Sequence, residues 1–225
     1  MTRSGKATAT RQKIIDAAVD LFVDQGFDTT GLTDITTAAG VTTGAFYYNF
    51  VSKTALAKAI IEQGWPKAVQ TFPRSDGDTP AGLKAIITMT FELSGLMKRD
   101  RSVWISNHLN QAFGQLSEEG RRGFQQRATT FVARVASALA PGDIRDDVSP
   151  EEVGNLVWMS VHGCHLLSDA LGDDVFARLV TAWRSIFCFA VPPESSVEYE
   201  DFLIRTVEHQ KHLNGAAANP LPATS

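Results

Sequence analysis

Two histidines and an aspartate stand at helical spacing in the C-terminal third of the chain. His162, His165 and Asp169 are three and four residues apart, so on one helix they share a face. Imidazole and carboxylate groups on one face could ligate a metal ion or exchange protons with a substrate. Cys164 points away from that face, and no second histidine or acidic cluster offers the remaining ligands that zinc needs. We therefore expect an ordinary pair of histidines, with no metal and no other cofactor.

No other pattern typical of an enzyme is present. The sequence has no nucleophile elbow, no phosphate-binding loop and no carboxylate pair placed as general acid and base. We expect that the protein is not an enzyme, and we assign no catalytic residue. The alternative is a metal-sensing regulator or an α-helical enzyme that uses His162, His165 and Asp169.

Residues 33–50 carry side chains that could bind nucleic acid. The pattern predicts two short helices joined at Gly40, where a β-carbon would obstruct the sharp turn. In the second helix Phe46 and Phe50 are four residues apart and face the core. The residues left facing outward are Thr43, Gly44, Tyr47 and Tyr48. Such a face fits the DNA major groove, where hydroxyl groups bond to base edges and phosphates.

Residues around this pattern complete the expected DNA-binding surface. Lys53 begins the next helix, where the helix dipole already favours an anion such as phosphate. An N-terminal arm can follow the phosphates or the minor groove with Arg3, Lys6, Arg11 and Lys13. The full set that we assign to DNA contact is Thr30, Thr33, Thr42, Thr43, Gly44, Tyr47, Tyr48, Asn49 and Lys53. The alternative is an ordinary helical hairpin with surface tyrosines.

The net charge of the whole chain does not reveal the basic residues of this arm. The chain has 225 residues, of which 44% are apolar and 20% charged, and its net charge is −4. These values are typical of a globular chain of one or two domains, and the acidity alone argues against a polyanionic partner. Asp16, Asp20 and Asp24 repeat every four residues, so we expect them on a solvated face turned away from phosphate.

Membrane and secretion signals are missing from the sequence. No apolar run approaches the ~18 residues of a membrane span, and the first residues lack the apolar core of a signal peptide. The two cysteines, Cys164 and Cys188, are too few for a disulfide framework. We expect a cytoplasmic protein with reduced thiols and no membrane partner.

Helical periodicity runs through the whole chain and predicts an all-α fold. The expected helices run from after Thr10 to Gly26, from Thr30 or Thr33 to 39, from Thr42 or Thr43 to 50, from Ser52 onward, and over 80–98, 101–113, 118–140, 150–171, 174–190 and 197–213. We expect a kink or a break in the fourth helix at Gly64-Trp65-Pro66, because proline lacks an amide proton and its ring crowds a carbonyl of the preceding turn. The predicted domains are a DNA-binding domain with its arm (1–52), a ligand-binding and dimerisation domain (53–213) and a disordered tail (214–225).

The N-terminal part resembles the TetR family of one-component repressors. The likeness lies in Gly26-Phe27, Thr30, Leu32-Thr33-Asp34-Ile35, Ala39-Gly40-Val41-Thr42, Gly44-Ala45-Phe46-Tyr47-Tyr48-Asn49-Phe50 and Lys53. It implies a homodimer that places its first three helices on a DNA operator and binds a small-molecule effector in a C-terminal helical domain.

The C-terminal half is similar to the γ-butyrolactone receptor branch of that family. The likeness lies in Glu151-Glu152-Val153, Gly163, Leu166-Leu167-Ser168-Asp169-Ala170-Leu171, Trp183-Arg184 and Val191-Pro192-Pro193. It implies an effector of the γ-butyrolactone type. The residues that we assign to a ligand pocket are Trp65, Phe91, Trp104, His108, Phe113, Phe131, Trp158 and His162, with plain core packing as the alternative for each.

Two long apolar faces predict the dimer interface. They belong to the helices over 150–171 and 174–190 and comprise Leu156, Val157, Val161, Leu166, Leu167, Val175, Phe176, Leu179, Val180, Trp183 and Phe187. Paired with their symmetry mates, the helices would form a four-helix interface. We expect a repressor that leaves a near-palindromic operator when an effector binds, with the segment around Pro66 as the hinge. A DNA-binding architectural protein without a ligand is the remaining alternative.

Overall fold

Helices account for all the regular secondary structure in the part of the chain that the structure describes. The structure is a computed structural model that describes residues 3–73 and 81–216, with side chains over 7–73 and 81–214. The helices are α1 (Arg3–Gln25), α2 (Leu32–Ala39), α3 (Thr43–Asn49), α4 (Lys53–Val69), α5 (Leu83–Arg99), α6 (Arg101–Leu116), α7 (Glu118–Ala138), α8 (Pro150–Leu171), α9 (Val175–Ala190) and α10 (Ser196–Ala216), with a 3-10 turn over Pro193–Ser195. The predicted all-α fold is confirmed.

The helices cluster into two units. The first unit comprises residues up to Ala68 together with Asp100–Arg121, and the second comprises Val69–Arg99 and the residues from Arg122 onward. The first unit is therefore larger than the predicted domain over 1–52, because α6 and most of α4 cluster with α1–α3. Periodicity locates a helix but does not name its packing partner, so the sequence prediction assigns α6 to the C-terminal domain. Most of the predicted tail, 217–225, lies outside the described residues, and α10 includes the rest.

The first unit packs around α1. This helix begins at Arg3 instead of after Thr10, because nothing in the preceding residues stops a helix. Ile14 and Phe22 are buried, and α2 and α3 pack against α1. α1 stops at Gly26 as predicted, because this glycine adopts the left-handed conformation with φ of 88°.

α4 is continuous, so the predicted break at Gly64-Trp65-Pro66 is wrong. Pro66 occupies an exposed position in the last turn, where its missing amide proton removes one bond near the helix end. Gly64 is instead a packing requirement. A β-carbon built on it would lie 2.3 Å from Cβ of Ser106 in α6. The glycine thus allows α4 and α6 to approach closely.

α6 also packs on α1. The Arg101 guanidinium pairs with Asp20 and Asp24, and the rings of Phe27 and Phe113 meet edge to face at 5.3 Å. The expectation that the aspartates of α1 lie on a solvated face is confirmed, and the pairing of two of them with Arg101 is an addition to it. Their side chains stay exposed, but two of them hold an arginine from a helix far along the chain.

The second unit has its own core among α5, α8 and α9. The buried Trp183 of α9 donates its indole N–H to Oγ1 of Thr90 in α5 at 2.9 Å. α8 begins with a capping box, in which Ser149 Oγ accepts from Glu152 N–H and the Glu152 carboxylate accepts from Ser149 N–H. α8 ends at Gly172 in the left-handed conformation. α10 packs on α5 and α9.

The apolar faces predicted for a dimer interface are mostly buried within this unit. The buried members are Val157, Val161, Val175, Phe176, Leu179, Trp183 and Phe187. Leu166 and Leu167 are exposed, as are two other apolar residues of α8, Met159 and Leu171. Apolar residues surround much of α8, so periodicity could not separate the flank that packs inside the chain from the flank that does not. None of the helices over the described residues is long and apolar enough to cross a bilayer.

Candidate nucleic-acid interface and ligand site

The orientation of α3 is fixed by one cap and two buried rings. Thr42 is the N-cap, and its Oγ1 accepts a hydrogen bond from Ala45 N–H at 3.1 Å. Phe46 is fully buried and Phe50 nearly so, with their ring centroids 6.0 Å apart. These contacts were predicted from spacing and are confirmed. They turn the opposite face of α3 toward solvent.

The exposed face of α3 carries the predicted hydroxyl groups. Tyr48 is 83% exposed and Tyr47 52% exposed, and both Thr43 and Gly44 are exposed beside them. Two tyrosines in solvent are unusual, because the ring normally buries much of its area. The structure thus brings these four predicted residues together on one surface, which we call the α3 surface.

α2 presents Thr33 to solvent but is capped differently from the prediction. Its N-cap is Gly31, whose amide donates to the Asp34 carboxylate at 2.9 Å. Thr36 is buried and donates its hydroxyl to the Thr33 carbonyl, whereas Ala38 is exposed. A hydroxyl that bonds to its own helix can be buried at little cost, which spacing alone does not reveal.

Thr30 does not belong to an outward surface. It is fully buried, and its hydroxyl donates to the Gly26 carbonyl at 2.7 Å. This corrects the predicted DNA contact of its side chain. Thr30 instead fixes the turn that leads from α1 to α2.

Lys53 was predicted to contact phosphate, and the structure shows it bonded to backbone carbonyls of its own chain. Its ammonium donates to the carbonyl oxygens of Phe27 at 2.7 Å, Thr30 at 3.0 Å and Asp28 at 3.4 Å. It also lies 4.4 Å from the centre of the Phe27 ring. A lysine has three N–H donors, and all three are directed at the loop after α1. Lys53 therefore joins α4 to that loop.

The C-terminal end of α3 is held by a residue of the predicted arm. The Asn49 side chain donates to the Ala45 carbonyl at 2.8 Å, so it bonds to its own helix. The Asn49 carbonyl accepts from the Arg11 guanidinium at 3.2 Å, and that guanidinium lies 4.2 Å from the centre of the Phe50 ring. A cation suits the negative end of a helix dipole. Lys13 is exposed, and the side chains of Arg3 and Lys6 lie outside the described residues.

The predicted pocket residues divide between the two units. The first unit contains Trp65, Trp104, His108 and Phe113, and the second contains Phe91, Phe131, Trp158 and His162. In the first unit the Trp104 and His108 rings stack at 3.8 Å, and Phe113 packs on Phe27 in the loop after α1. In the second unit Phe91 is fully buried against Phe176.

An aromatic cluster in the second unit contains the three remaining pocket candidates, Phe131, Trp158 and His162. Phe131 contacts Trp158 at 5.1 Å between ring centroids, and Trp158 lies 3.7 Å from His162. Sequence reasoning missed Phe124, which contacts both Trp158 and His162, and Phe72, which contacts Phe131. Phe124 precedes Phe131 by two helical turns, so the spacing on α7 was a signal that could have found it. A separate shallow cleft, too narrow to hold a ligand, is lined by Thr90, Val157, Ser160, Val161, Leu179, Ala182, Trp183 and Ile186.

The two histidines of α8 have different hydrogen-bond partners. His165 is buried and bonds through Nε2 to Ser94 Oγ at 2.9 Å, whereas His162 bonds through Nδ1 to the Trp158 carbonyl at 3.0 Å. Burial lowers the pKa of His162 to about 4, and the bond to the Trp158 carbonyl offsets this only partly. Within the ranges that the structure describes, no three histidine, cysteine, aspartate or glutamate side chains are grouped as metal ligands.

Comparisons with known proteins agree with a regulatory role. Residues 14–60 match the family described as bacterial regulatory proteins, tetR family. The chain is 38% identical over 193 residues to the A-factor receptor protein of Streptomyces griseus, a match that covers 83% of this chain. The match spans 65% of that receptor, slightly less than two thirds of its length.

Two solved structures are similar over almost the whole fold. A γ-butyrolactone receptor described as ArpA-like aligns with a TM-score of 0.71 and 26% identity, covering 91% of this chain and 99% of the receptor. CprB from Streptomyces coelicolor, in complex with its biological operator sequence, aligns with a TM-score of 0.65 and 26% identity over 91% of this chain and 99% of that one. The matched proteins are regulators and receptors, so the prediction that this chain is not an enzyme is confirmed.

Proposed function

This chain belongs to the TetR family of bacterial regulatory proteins, and from that premise we propose that it is a ligand-responsive transcriptional repressor. It binds a near-palindromic DNA operator as a homodimer and leaves the operator when a small hydrophobic effector binds. The observation that carries the proposal is the α3 surface, where two exposed tyrosines and a threonine stand on a helix fixed from behind by buried phenylalanines.

The DNA contact is assigned to the α3 surface and its neighbours. The exposed hydroxyls of Thr43, Tyr47 and Tyr48 suit base edges and phosphates in the major groove, and Gly44 permits close approach of the backbone. Thr33 and Thr42 are exposed at the adjoining helix ends and add hydroxyls for phosphate. Asn49 and Arg11 hold the far end of α3, so they position the surface.

The homodimer is supported by the exposed apolar flank of α8. Met159, Leu166, Leu167 and Leu171 remain in solvent in a single chain, although other apolar residues of the helix, such as Val157 and Val161, are buried. Grouped apolar side chains of this kind mark an association surface, and a second copy would cover them around a two-fold axis. Two recognition helices related in this way would meet half-sites ~34–36 Å apart along B-form DNA.

The effector is proposed to be small, hydrophobic and similar to a γ-butyrolactone. Support comes from two similar proteins, one named as an A-factor receptor and the other as a γ-butyrolactone receptor. The predicted pocket residues remain our candidates for its contacts, and the aromatic cluster around Trp158 is the largest group that they form in one unit. We place the protein in the cytoplasm, together with the DNA that it regulates.

A gel-shift assay with DNA from upstream of the protein's own gene tests the proposal. We expect sequence-selective binding by the wild type, a loss of at least tenfold in affinity for the Thr43→Ala/Tyr47→Phe double variant, and little change for Ser137→Ala, an exposed hydroxyl on α7. Addition of an alkyl γ-butyrolactone should release the DNA. Retention of selective binding by the double variant would refute the role of the α3 surface.

A further inference from the structure

The α3 surface carries no charged side chain and no side-chain amide. Its members are Thr43, Gly44, Tyr47 and Tyr48, and all four are exposed. Thr43 and Tyr47 are one helical turn apart, so they lie side by side. The Tyr47 ring meets the buried Phe46 ring edge to face at 5.6 Å between centroids, which limits its orientation. This surface offers a base pair hydroxyl groups, aromatic carbon and one methyl group.

The side chains that commonly recognise purines are missing from α2 and α3 or are engaged elsewhere. Arginine and lysine bind guanine through two hydrogen bonds, and asparagine and glutamine bind adenine in the same way. Residues 32–49 contain no arginine, lysine or glutamine, and the amide of their one asparagine, Asn49, donates to the Ala45 carbonyl at 2.8 Å. The nearby cations of Arg11 and Lys53 donate to backbone carbonyls of this chain. Two-bond recognition of a purine therefore does not explain how α3 would select a sequence.

The hydroxyl groups of the α3 surface select bases poorly by themselves. A hydroxyl both donates and accepts, so it finds a partner on every base pair in the major groove. A methyl group is more selective, because thymine presents the one methyl group in that groove. The side chain of Thr43 is exposed and does not cap α3, since the cap is the hydroxyl of Thr42. The Thr43 methyl group is therefore available for contact with a base.

We propose that the methyl group of Thr43 packs against the C5 methyl group of a thymine in each operator half-site, so that Thr43 determines sequence specificity. This inference rests on the proposed function and adds the base that the α3 surface selects. Burial of one methyl-sized group is worth about fourfold in affinity. Because a dimer makes the contact at both half-sites, the two contacts together are worth about fifteenfold.

Duplexes that differ only in the thymine methyl group test the inference. The full-length protein first selects operator sequences from a randomised duplex library, and the most enriched duplex is copied with thymine or with uracil. Uracil pairs as thymine does but lacks the C5 methyl group. In a gel-shift titration the wild type should bind the thymine duplex about fifteenfold more tightly than the uracil duplex. Equal affinity for the two duplexes would overturn the inference.

Two substitutions of Thr43 separate its methyl group from its hydroxyl. Thr43→Ser keeps the hydroxyl and should bind the thymine and uracil duplexes with equal affinity, whereas Thr43→Val keeps the apolar contact and should retain the thymine preference. Thr129→Ser, a matched change of an exposed threonine on α7, should behave as the wild type does. A thymine preference that survives in Thr43→Ser, or disappears in Thr43→Val, would overturn the assignment to the Thr43 methyl group.

The salt dependence of binding gives an independent measurement on the wild type. A contact between methyl groups involves no charge, so the ratio of the two affinities should stay constant between about 50 and 200 mM salt, although both affinities fall. A ratio that shrinks as salt rises would contradict a methyl contact. Failure of the selection to enrich any sequence would refute the proposed function itself, whereas enrichment followed by equal affinity for both duplexes would refute this inference alone.

Discussion

Arg101 Nη2 lies 2.6 Å from Oδ1 of Asp24, and its Nε lies 3.0 Å from Oδ1 of Asp20. One guanidinium thus joins the first residue of α6 to two successive turns of α1. The preceding residue, Asp100, caps α6 and also bonds to Lys67 of α4 at 2.8 Å. Burial raises the pKa of Asp100, but its bonds to Lys67 and Ser102 outweigh this and hold it below the usual value. The start of α6 therefore joins α4 to α1, the helix on which α2 and α3 pack.

We expect a measurable but small coupling between Arg101 and Asp24. Both side chains are partly exposed, so the pair should contribute about 0.5–1 kcal/mol, and high salt should weaken it. A double-mutant cycle with Arg101→Gln and Asp24→Asn, followed by urea unfolding at low and high salt, measures the coupling. Arg121→Gln is the control, because Arg121 is exposed and forms no ion pair within the described part of the chain. A coupling of zero at low salt would contradict the assigned contact.

Replacement of Lys53 should lower the free energy of unfolding and leave the salt dependence of DNA binding nearly unchanged. Lys53→Ala leaves the carbonyls of Phe27 and Thr30 without their charged donor, at an expected cost of about 2 kcal/mol. Lys58→Ala, which removes an exposed pair with Glu119, should cost less than about 1 kcal/mol. Chemical unfolding gives both values. If Lys53→Ala instead has normal stability and its DNA affinity depends less steeply on salt, by about one unit of the log–log slope, then Lys53 contacts phosphate.

The local features of the α3 surface were predictable from the sequence, and the long-range contacts around it were not. The cap at Thr42 and the inward pair Phe46 and Phe50 depend on residues within one or two turns, so spacing is sufficient to find them. The role of Lys53 depends on carbonyls more than twenty residues away. A lysine at a helix start looks the same in a sequence whether it faces phosphate or a loop of its own chain.

The same limit applies to α6 and α8. The ends of α8 at 150 and 171 were predictable from the sequence, because a capping box and a terminal glycine are local signals. It could not say which apolar flank packs inside the chain, since that depends on α5 and α9. The pairing of Arg101 with α1 was not predicted, because it joins residues far apart in the sequence. The aspartates alone have the pattern of a solvated face.

Substitutions of Thr42 and Thr43 should differ in their effect on the free energy of unfolding. Thr42→Ala removes the N-cap of α3 and should lower the free energy of unfolding by about 1 kcal/mol. Thr43→Ala changes an exposed side chain that does not cap the helix, so its stability should stay within about 0.5 kcal/mol of the wild type. Thermal unfolding and the gel-shift assay together check both. Equal destabilisation by the two variants would mean that Thr42 is not the cap.

Gly64→Ala should destabilise the protein by about 1–3 kcal/mol through overpacking. The new β-carbon would meet Ser106 Cβ at 2.3 Å, and the backbone carbonyl of Ser102 lies 3.0 Å away. Removal of the Ser106 side chain in Gly64→Ala/Ser106→Gly should recover part of the loss. Gly44→Ala is the control for stability, because the nearest atom to its added carbon is 3.9 Å away. Urea unfolding of the four proteins measures the effect, and full stability of Gly64→Ala would contradict the close packing of α4 and α6.

The burial of His162 should make folding stability depend on pH in a predictable direction. The pKa is about 4 in the folded protein and about 6.5 in an unfolded chain, so between these values the unfolded state binds more protons. Stability is therefore lost as the pH falls from about 6.5 to 4, by roughly 2–3 kcal/mol from this residue alone. His162→Phe keeps an aromatic ring against Trp158 and Phe124 but cannot take up a proton. The difference in free energy of unfolding between wild type and His162→Phe, measured by urea titration at several pH values, should change across that window and level off above pH 7. Because carboxylates titrate equally in both proteins, the difference isolates the imidazole, and a flat difference curve would mean that the ring is accessible to protons in the folded state.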